Sequence, residues 1–204
     1  MTLDHTDSTP RWGAIPTLHT ARLRVRRLEP GDLEPCHRLF RDIGWTDPQA
    51  SEGSALAARR RWLDWTVRSY DELEALYQPP YGERAVELHD GAFVGLVGLV
   101  PAFGPFTQLP SRGARPGARY TPELGLFWAM VPQAQGRGYA SEAAGALVDF
   151  AFAGLNAARV VATTEHANLA SIGVMRRLGM RVEANPFEEP RHFQTVGVLD
   201  APAG

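Results

Sequence analysis

At 204 residues the chain is long enough for one domain with a sizeable core, burying roughly 70% or more of its unfolded surface. A formal net charge of −2, without any basic block, removes the electrostatic case for nucleic acid or an anionic membrane surface. The lone cysteine, Cys36, excludes an internal disulfide and fits a reducing cytoplasm, and no apolar run approaches membrane-spanning length.

All 21 basic residues are arginine. The absence of lysine excludes a Walker-type phosphate lysine, a Schiff-base lysine and acylation of the chain's own lysines. The start MTLDHTDSTP is polar and acid-containing, lacks the apolar stretch of a signal peptide, and leads into an expected flexible N-terminus over residues 1–14. With no interdomain linker and no repeat, residues 1–204 read as a single cytoplasmic domain, monomeric or homodimeric.

In chain order, TLHTARLRVRRL (17–28) alternates Leu18, Leu23 and Val25 with polar neighbours and predicts a first strand. Pro30-Gly31-Asp32 then opens a helix through Leu33, Cys36, Leu39 and Phe40. A long arginine-rich helix is predicted over 54–77, with Trp62, Trp65, Leu73 and Leu76 on its apolar side, ended by Pro79-Pro80. ERAVELH and AFVGLVGLV, divided by Asp90-Gly91, predict a hairpin. Residues 101–122 hold five prolines and three glycines and read as a long loop, of the kind that is functional or disordered. There follow a strand at 123–131, a helix from Gly138 to about Gly154 and a strand at 159–164. A helix at 168–178 stopped by Gly179 and strands near 180–184 and 192–199 complete the chain.

The most informative stretch is TPELGLFWAMVPQAQGRGYASE (121–142), a strand running through a tight glycine turn into a helix. A helix start presents about four backbone N–H groups without intrahelical partners and roughly half a positive charge, so it attracts phosphate. Gly136 and Gly138 have no side chain to keep a pyrophosphate away, and both accept the positive φ that a nest of convergent N–H groups needs. A bare strand-to-helix turn would need no more than this.

The order β-α-α-β-β-β-α-β-α-β-β, with the glycine turn after the fourth strand, resembles the GNAT superfamily of acyl-CoA-dependent N-acetyltransferases. QGRGYA (135–140) matches its acyl-CoA signature, Gln/Arg-x-x-Gly-x-Gly/Ala, through Gln135, Gly138 and Ala140. NLASIGVMRRLGMR (168–181) is similar to the family's helix after the fifth strand, and the Asn-x-x-Ser spacing lies closest to the branch containing ribosomal-protein N-terminal acetyltransferases. The resemblance implies an α+β fold, with a mixed, mostly antiparallel central sheet of about seven strands and about four helices. It also implies acetyl-CoA as co-substrate and transfer of its acetyl group to a primary amine, on a protein N-terminus or a small molecule, by direct attack.

Under that resemblance the pyrophosphate sits on the backbone of Gly136, Arg137, Gly138, Tyr139, Ala140 and Ser141, with the Arg137 side chain as an added cation. The amide-bearing arm pairs with the free edge of the fourth strand around Met130 and Val131, as an added strand would. Asn168 resembles the asparagine that faces the arm, although an ordinary N-cap would equally justify it. Glu123 lies within about one residue of the family's carboxylate base, a role worth about 10²- to 10⁴-fold in rate. The family's tyrosine near the sulfur is replaced by Met175, and Ser171 stands where the ribosomal-protein branch places a hydroxyl acid.

Other constellations are weaker. The six histidines show no metal-ligand spacing, so no metal is expected. Cys36 and His37 are neighbours on a helix and point about 100° apart, which suits a buried cysteine better than a nucleophile. His166, Glu188 and Glu189 fall in loops near the cleft. Two alternatives stay open: a GNAT-like module that binds acyl-CoA without catalysis, and a Rossmann oxidoreductase, whose fingerprint GRGYAS (136–141) nearly spells. The latter motif should follow the first strand of a parallel unit and end in glycine, whereas here it falls two-thirds along the chain and ends in Ser141.

Overall fold

The computed structural model describes residues 15–202. The expected flexible N-terminus, 1–14, lies outside the described residues. Among the described residues eight strands form one sheet in the order β1-β2-β3-β4-β5-β6-β8-β7, one strand more than the sequence suggests. The extra strand arises because the predicted first strand is two: β1 (Leu18–His19) folds back antiparallel on β2 (Leu23–Arg27). Thr20 and Arg22, in the connecting turn, are drawn out of the strand by Glu142 far along the chain, which the local pattern could not reveal.

β3 (Gly82–Leu88) and β4 (Phe93–Gly104) form the expected hairpin, and β4 pairs along the whole of β5 (Thr121–Met130). β6 (Arg159–Thr164) pairs antiparallel with β8 (Thr195–Asp200), and β7 (Arg181–Ala184) closes the far edge. Every neighbouring pair is antiparallel except β5 and β6.

Side chains alternate across each strand, so each β-strand feeds two cores. Leu126 and Met130 face α3 (Tyr139–Ala153) and α4 (Leu169–Arg177), packing with Ala143, Leu147 and Met175. Leu96 and Ala129 face α1 (Leu33–Asp42) and α2 (Glu52–Ala75), with Cys36, Leu39 and Leu63. The Ser51 side chain caps α2 by accepting from the Ser54 N–H. No helix among the described residues is long and apolar enough to cross a membrane.

The predicted 101–122 loop is shorter than the sequence suggests. β4 continues to Gly104 and β5 begins at Thr121, leaving a connection over 105–120 that contains two 3-10 turns, Phe106–Gln108 and Pro110–Arg112. It is pinned to the sheet. Phe106 and Leu109 are buried with Val161, Phe193 and Val198 in a third core, Gln108 accepts from Asn185 at 2.9 Å inside the protein, and Ser111 donates through its N–H and hydroxyl to Glu183 at 2.8 and 2.6 Å. Burial works to raise the Glu183 carboxyl, but these bonds and Arg181 outweigh it and hold it below the usual range.

Candidate functional site

The parallel strands β5 and β6 pair at a single position, Gly125 with Val161. Toward their C-terminal ends the ladder stops, although each strand keeps its outer neighbour. The Val131 N–H bonds the Val94 carbonyl at 3.0 Å and so belongs to the β4 side. By alternation the peptide groups of Leu126, Trp128 and Met130 turn toward the gap. Met130 therefore stands on the open edge, where its carbonyl accepts from the Gln135 side chain at 3.1 Å, while the Val131 donor is turned away.

The gap opens onto the start of α3. Gly136 and Gly138 adopt φ of +73° and +80°, the left-handed conformation that favours glycine. Gly138 is the N-cap, and the first helical bond runs from the Glu142 N–H to its carbonyl at 3.0 Å. The N–H groups of Tyr139, Ala140 and Ser141 precede that bond and have no intrahelical acceptor. A Cβ added at Gly136 would meet nothing within 4 Å, so the turn leaves open space for an anion against the backbone.

Two arginines that the sequence reading did not single out flank this turn. Arg22 donates from Nε to Glu142 at 2.6 Å and from Nη1 to the Arg137 carbonyl at 3.0 Å, and its guanidinium lies 4.7 Å from the Tyr139 ring centre. Arg177, on α4, donates from Nε to the Ser141 hydroxyl at 3.0 Å. Burial works to raise the Glu142 carboxyl, but hydrogen bonds from Thr20 and Arg22 prevail and hold it below the usual carboxylate range. Arg137 itself is exposed. Arg22 lies far away in sequence, and no local pattern marks it as part of this turn.

On the α4 side of the gap, Asn168 caps the helix, its Oδ1 accepting from the Ser171 N–H at 3.1 Å. The Ser171 Oγ accepts in turn from the Trp128 indole N–H at 3.2 Å, linking α4 to the open edge of β5. His166 is tied to β8 through Thr195 and Gln194.

Glu123 lies two residues before Gly125 on the same strand face. Its carboxylate accepts from Arg159 Nη1 at 2.9 Å, and Arg159 also donates to Asp200 at 2.6 Å. The Asp200 bond, with help from Glu123, raises the Arg159 guanidinium above its usual range despite partial burial, and Arg159 lowers Asp200 correspondingly. Ala102, the cross-strand partner of Glu123, and Gly125 both line a cavity of about 420 Å³. The cavity lies on the sheet face opposite α3, bounded by Phe127 on one side and by Phe106 and Phe193 on the other.

A second carboxylate on this face escaped the sequence reading. Glu83 pairs across β3 and β4 with Gly98, in one cross-strand row with Phe127, and burial pushes its carboxyl up against the opposing pull of Arg59. Glu188 and Glu189 are exposed loop residues. Cys36 is fully buried, and burial pushes its thiol up to about 12, far from the range of a nucleophile. Among the described residues no group of three or more His, Cys, Asp or Glu is placed to hold a metal ion.

A family model described as an acetyltransferase (GNAT) domain matches residues 22–181. A 64-residue stretch is 42% identical to the uncharacterized N-acetyltransferase YnaD of Bacillus subtilis (strain 168), covering 31% of this chain and 36% of that protein, so the match spans about a third of the relative's length. Among solved structures, the acetyltransferase from Agrobacterium tumefaciens str. C58 superposes with a TM-score of 0.62 at 26% identity, covering 91% of this chain and 95% of that one. The ribosomal L7/L12 alpha-N-protein acetyltransferase RimL, solved in complex with coenzyme A, shares the fold with a TM-score of 0.59 at 13% identity, over 91% of this chain and 97% of that one.

Proposed function

The chain belongs to the GNAT acetyltransferase family, and from that premise we propose that it is a cytoplasmic, acetyl-CoA-dependent N-acetyltransferase that acts on a primary amine by direct attack. One observation carries the reading: the two parallel strands that meet only at Gly125 and Val161 open directly onto a helix start lined by left-handed glycines. That donor set suits a pyrophosphate, because backbone N–H groups and the positive end of the helix converge where Gly136 leaves space.

In this reading the N–H groups of Tyr139 to Ser141 hold the pyrophosphate, with Arg22, Arg137 and Arg177 adding positive charge around it. The inward peptide groups of Trp128 and Met130 bind the amide-bearing arm as a strand edge would, and Asn168 faces it across the gap. Acetyl-CoA supplies an acyl group already activated as a thioester. As the new N–C bond forms and the C–S bond breaks, Glu123 takes the amine proton, directly or through water. Ser171 gives its hydroxyl proton to the departing sulfur and recovers one from solvent. Trp128 acts as a positioning residue: by donating to Ser171 Oγ it leaves the hydroxyl proton free to point elsewhere. The Asn-x-x-Ser spacing supports a reading of the chain as similar to the ribosomal-protein branch of the family.

Acetyl-CoA at about 100 times its dissociation constant should stabilise the fold by roughly 2.7 kcal/mol, a melting shift on the order of 5 to 10 °C for a chain of this size. NAD and ATP should give none. No shift with acetyl-CoA, or a larger one with NAD, would overturn the reading. Thiol release in the presence of an amine then separates catalysis from binding alone, and the buried Cys36 adds no thiol background in the folded protein.

A further inference from the structure

We propose that the 420 Å³ cavity beside Gly125 selects a primary amine carried on a ring-sized or branched apolar body, with no second positive charge. This rests on the acetyltransferase reading and adds the substrate class to it.

Among the described residues the lining of the cavity contains no aspartate, glutamate, lysine or arginine; its polar side chains are Thr163 and His192. The carboxylates on this face outside the lining are Glu123, ion-paired with Arg159, and Glu83, which burial pushes toward its uncharged form. A substrate bearing one amine can present that nitrogen toward Gly125 and Glu123 while its body displaces water from the apolar walls. A polyamine would have to bring a second ammonium group against a lining that offers it no charged side chain, and burying an unpaired charge is strongly unfavourable.

The mouth of the cavity points the same way. Phe103 lines it yet is 63% exposed, and its ring lies 5.4 Å from that of Tyr120, itself 45% exposed. Trp45, 58% exposed, packs at 5.8 Å against the lining residue Phe127. Large aromatic rings left in water on or against the lining of a cavity are surface that an apolar ligand would cover. The inner wall is preformed: Phe106 and Phe193 meet edge to face at 5.0 Å, both buried, and the connection carrying Phe106 is tied down through Gln108 and Ser111. The volume falls within the range of small-molecule sites.

In the reaction the amine nitrogen forms a bond to the acyl carbon, the carbon–sulfur bond breaks, the amine loses one proton and the sulfur gains one. The test compares kcat/KM for phenylethylamine and isoamylamine with that for spermidine and putrescine, at saturating acetyl-CoA, alongside the acetyl-CoA melting shift. The apolar amines should exceed both polyamines by more than tenfold. Phe103→Ala should raise KM for phenylethylamine about fivefold or more, leaving kcat and the acetyl-CoA shift unchanged, while Phe103→Glu should move preference toward the polyamines. Equal or better use of spermidine would overturn the inference. So would a protein that shows the acetyl-CoA shift but acetylates none of the apolar amines, an outcome that leaves cofactor binding standing. An absent acetyl-CoA shift would instead remove the acetyltransferase reading, and this inference with it.

Discussion

Gly138 offers the sharpest test of the proposed pyrophosphate site, because charge and shape can be separated there. Its φ of +80° is one that asparagine and aspartate tolerate better than other side chains, and both are accepted at an N-cap. A Cβ at this position would have Arg22 Nη2 as its nearest neighbour at 3.4 Å, the movable end of a long side chain. Gly138→Asn and Gly138→Asp should therefore both fold, each losing about 1 kcal/mol or less to the backbone conformation. Only the aspartate places a negative charge beside the ligand. One charge about 5 Å from the two charges of a pyrophosphate, at an effective dielectric of about 40, opposes binding by about 3 kcal/mol. Arg22 will absorb part of that, so the Asp variant should bind acetyl-CoA about 30-fold or more weaker than the Asn variant. Isothermal titration of both variants, with urea unfolding as the fold control, measures the difference, which should narrow as salt is added. If the folded Asp variant binds as tightly as the Asn variant and the parent, the anion does not lie at this helix start.

Two other outcomes follow from the same geometry. Glu123→Gln should lower the acetyl-transfer rate by about 10² or more with cofactor affinity little changed, and raising the pH should partly restore it as more of the amine is already deprotonated; full activity at neutral pH would move the base to Glu83 or to water. Arg84 is 1% exposed, and its Nε and Nη1 have no partner among the described residues; burial pushes its guanidinium down to about 10. A base whose folded value is depressed detracts from stability at every pH below that value, and the penalty fades as pH rises through about 10. Arg84→Met should thus gain stability at neutral pH by about 1 to 3 kcal/mol in urea unfolding, and a less stable variant would mean that the 5.2 Å contact with the Tyr70 ring outweighs the buried charge.

What could be read in the sequence divides by distance along the chain. The helix that begins after Gly138, the strand at 159–164 and the Asn168 cap rest on local signals, namely apolar periodicity, a positive-φ glycine and a side chain three residues from its partner, and each appears where expected. The break after His19 does not, because it depends on Glu142 reaching back to Thr20 and Arg22. The extension of β4 to Gly104 was hidden by Pro101 and Pro105, which read as loop until β5 is seen paired alongside. The candidate site divides in the same way. Glycines 136 and 138 announce themselves, whereas the Arg22 and Arg177 flanks, the Arg159 partner of Glu123 and the indole bond to Ser171 are all contacts between distant segments.

The single rung between β5 and β6 also has a mechanical meaning. Bending load in a sheet passes from strand to strand through its ladder, and here β1 to β5 and β6 to β8 behave as two stiff plates joined along a seam by one rung, with α3 and α4 spanning the seam like a strap on one side. Such a seam leaves two stretches of backbone without strand partners, the feature that makes ordinary sheet edges sticky toward other chains. Placing them in the middle of the sheet, facing each other too far apart to pair, hides them from neighbouring molecules in a crowded solution while keeping them available to anything slender enough to slide between the plates.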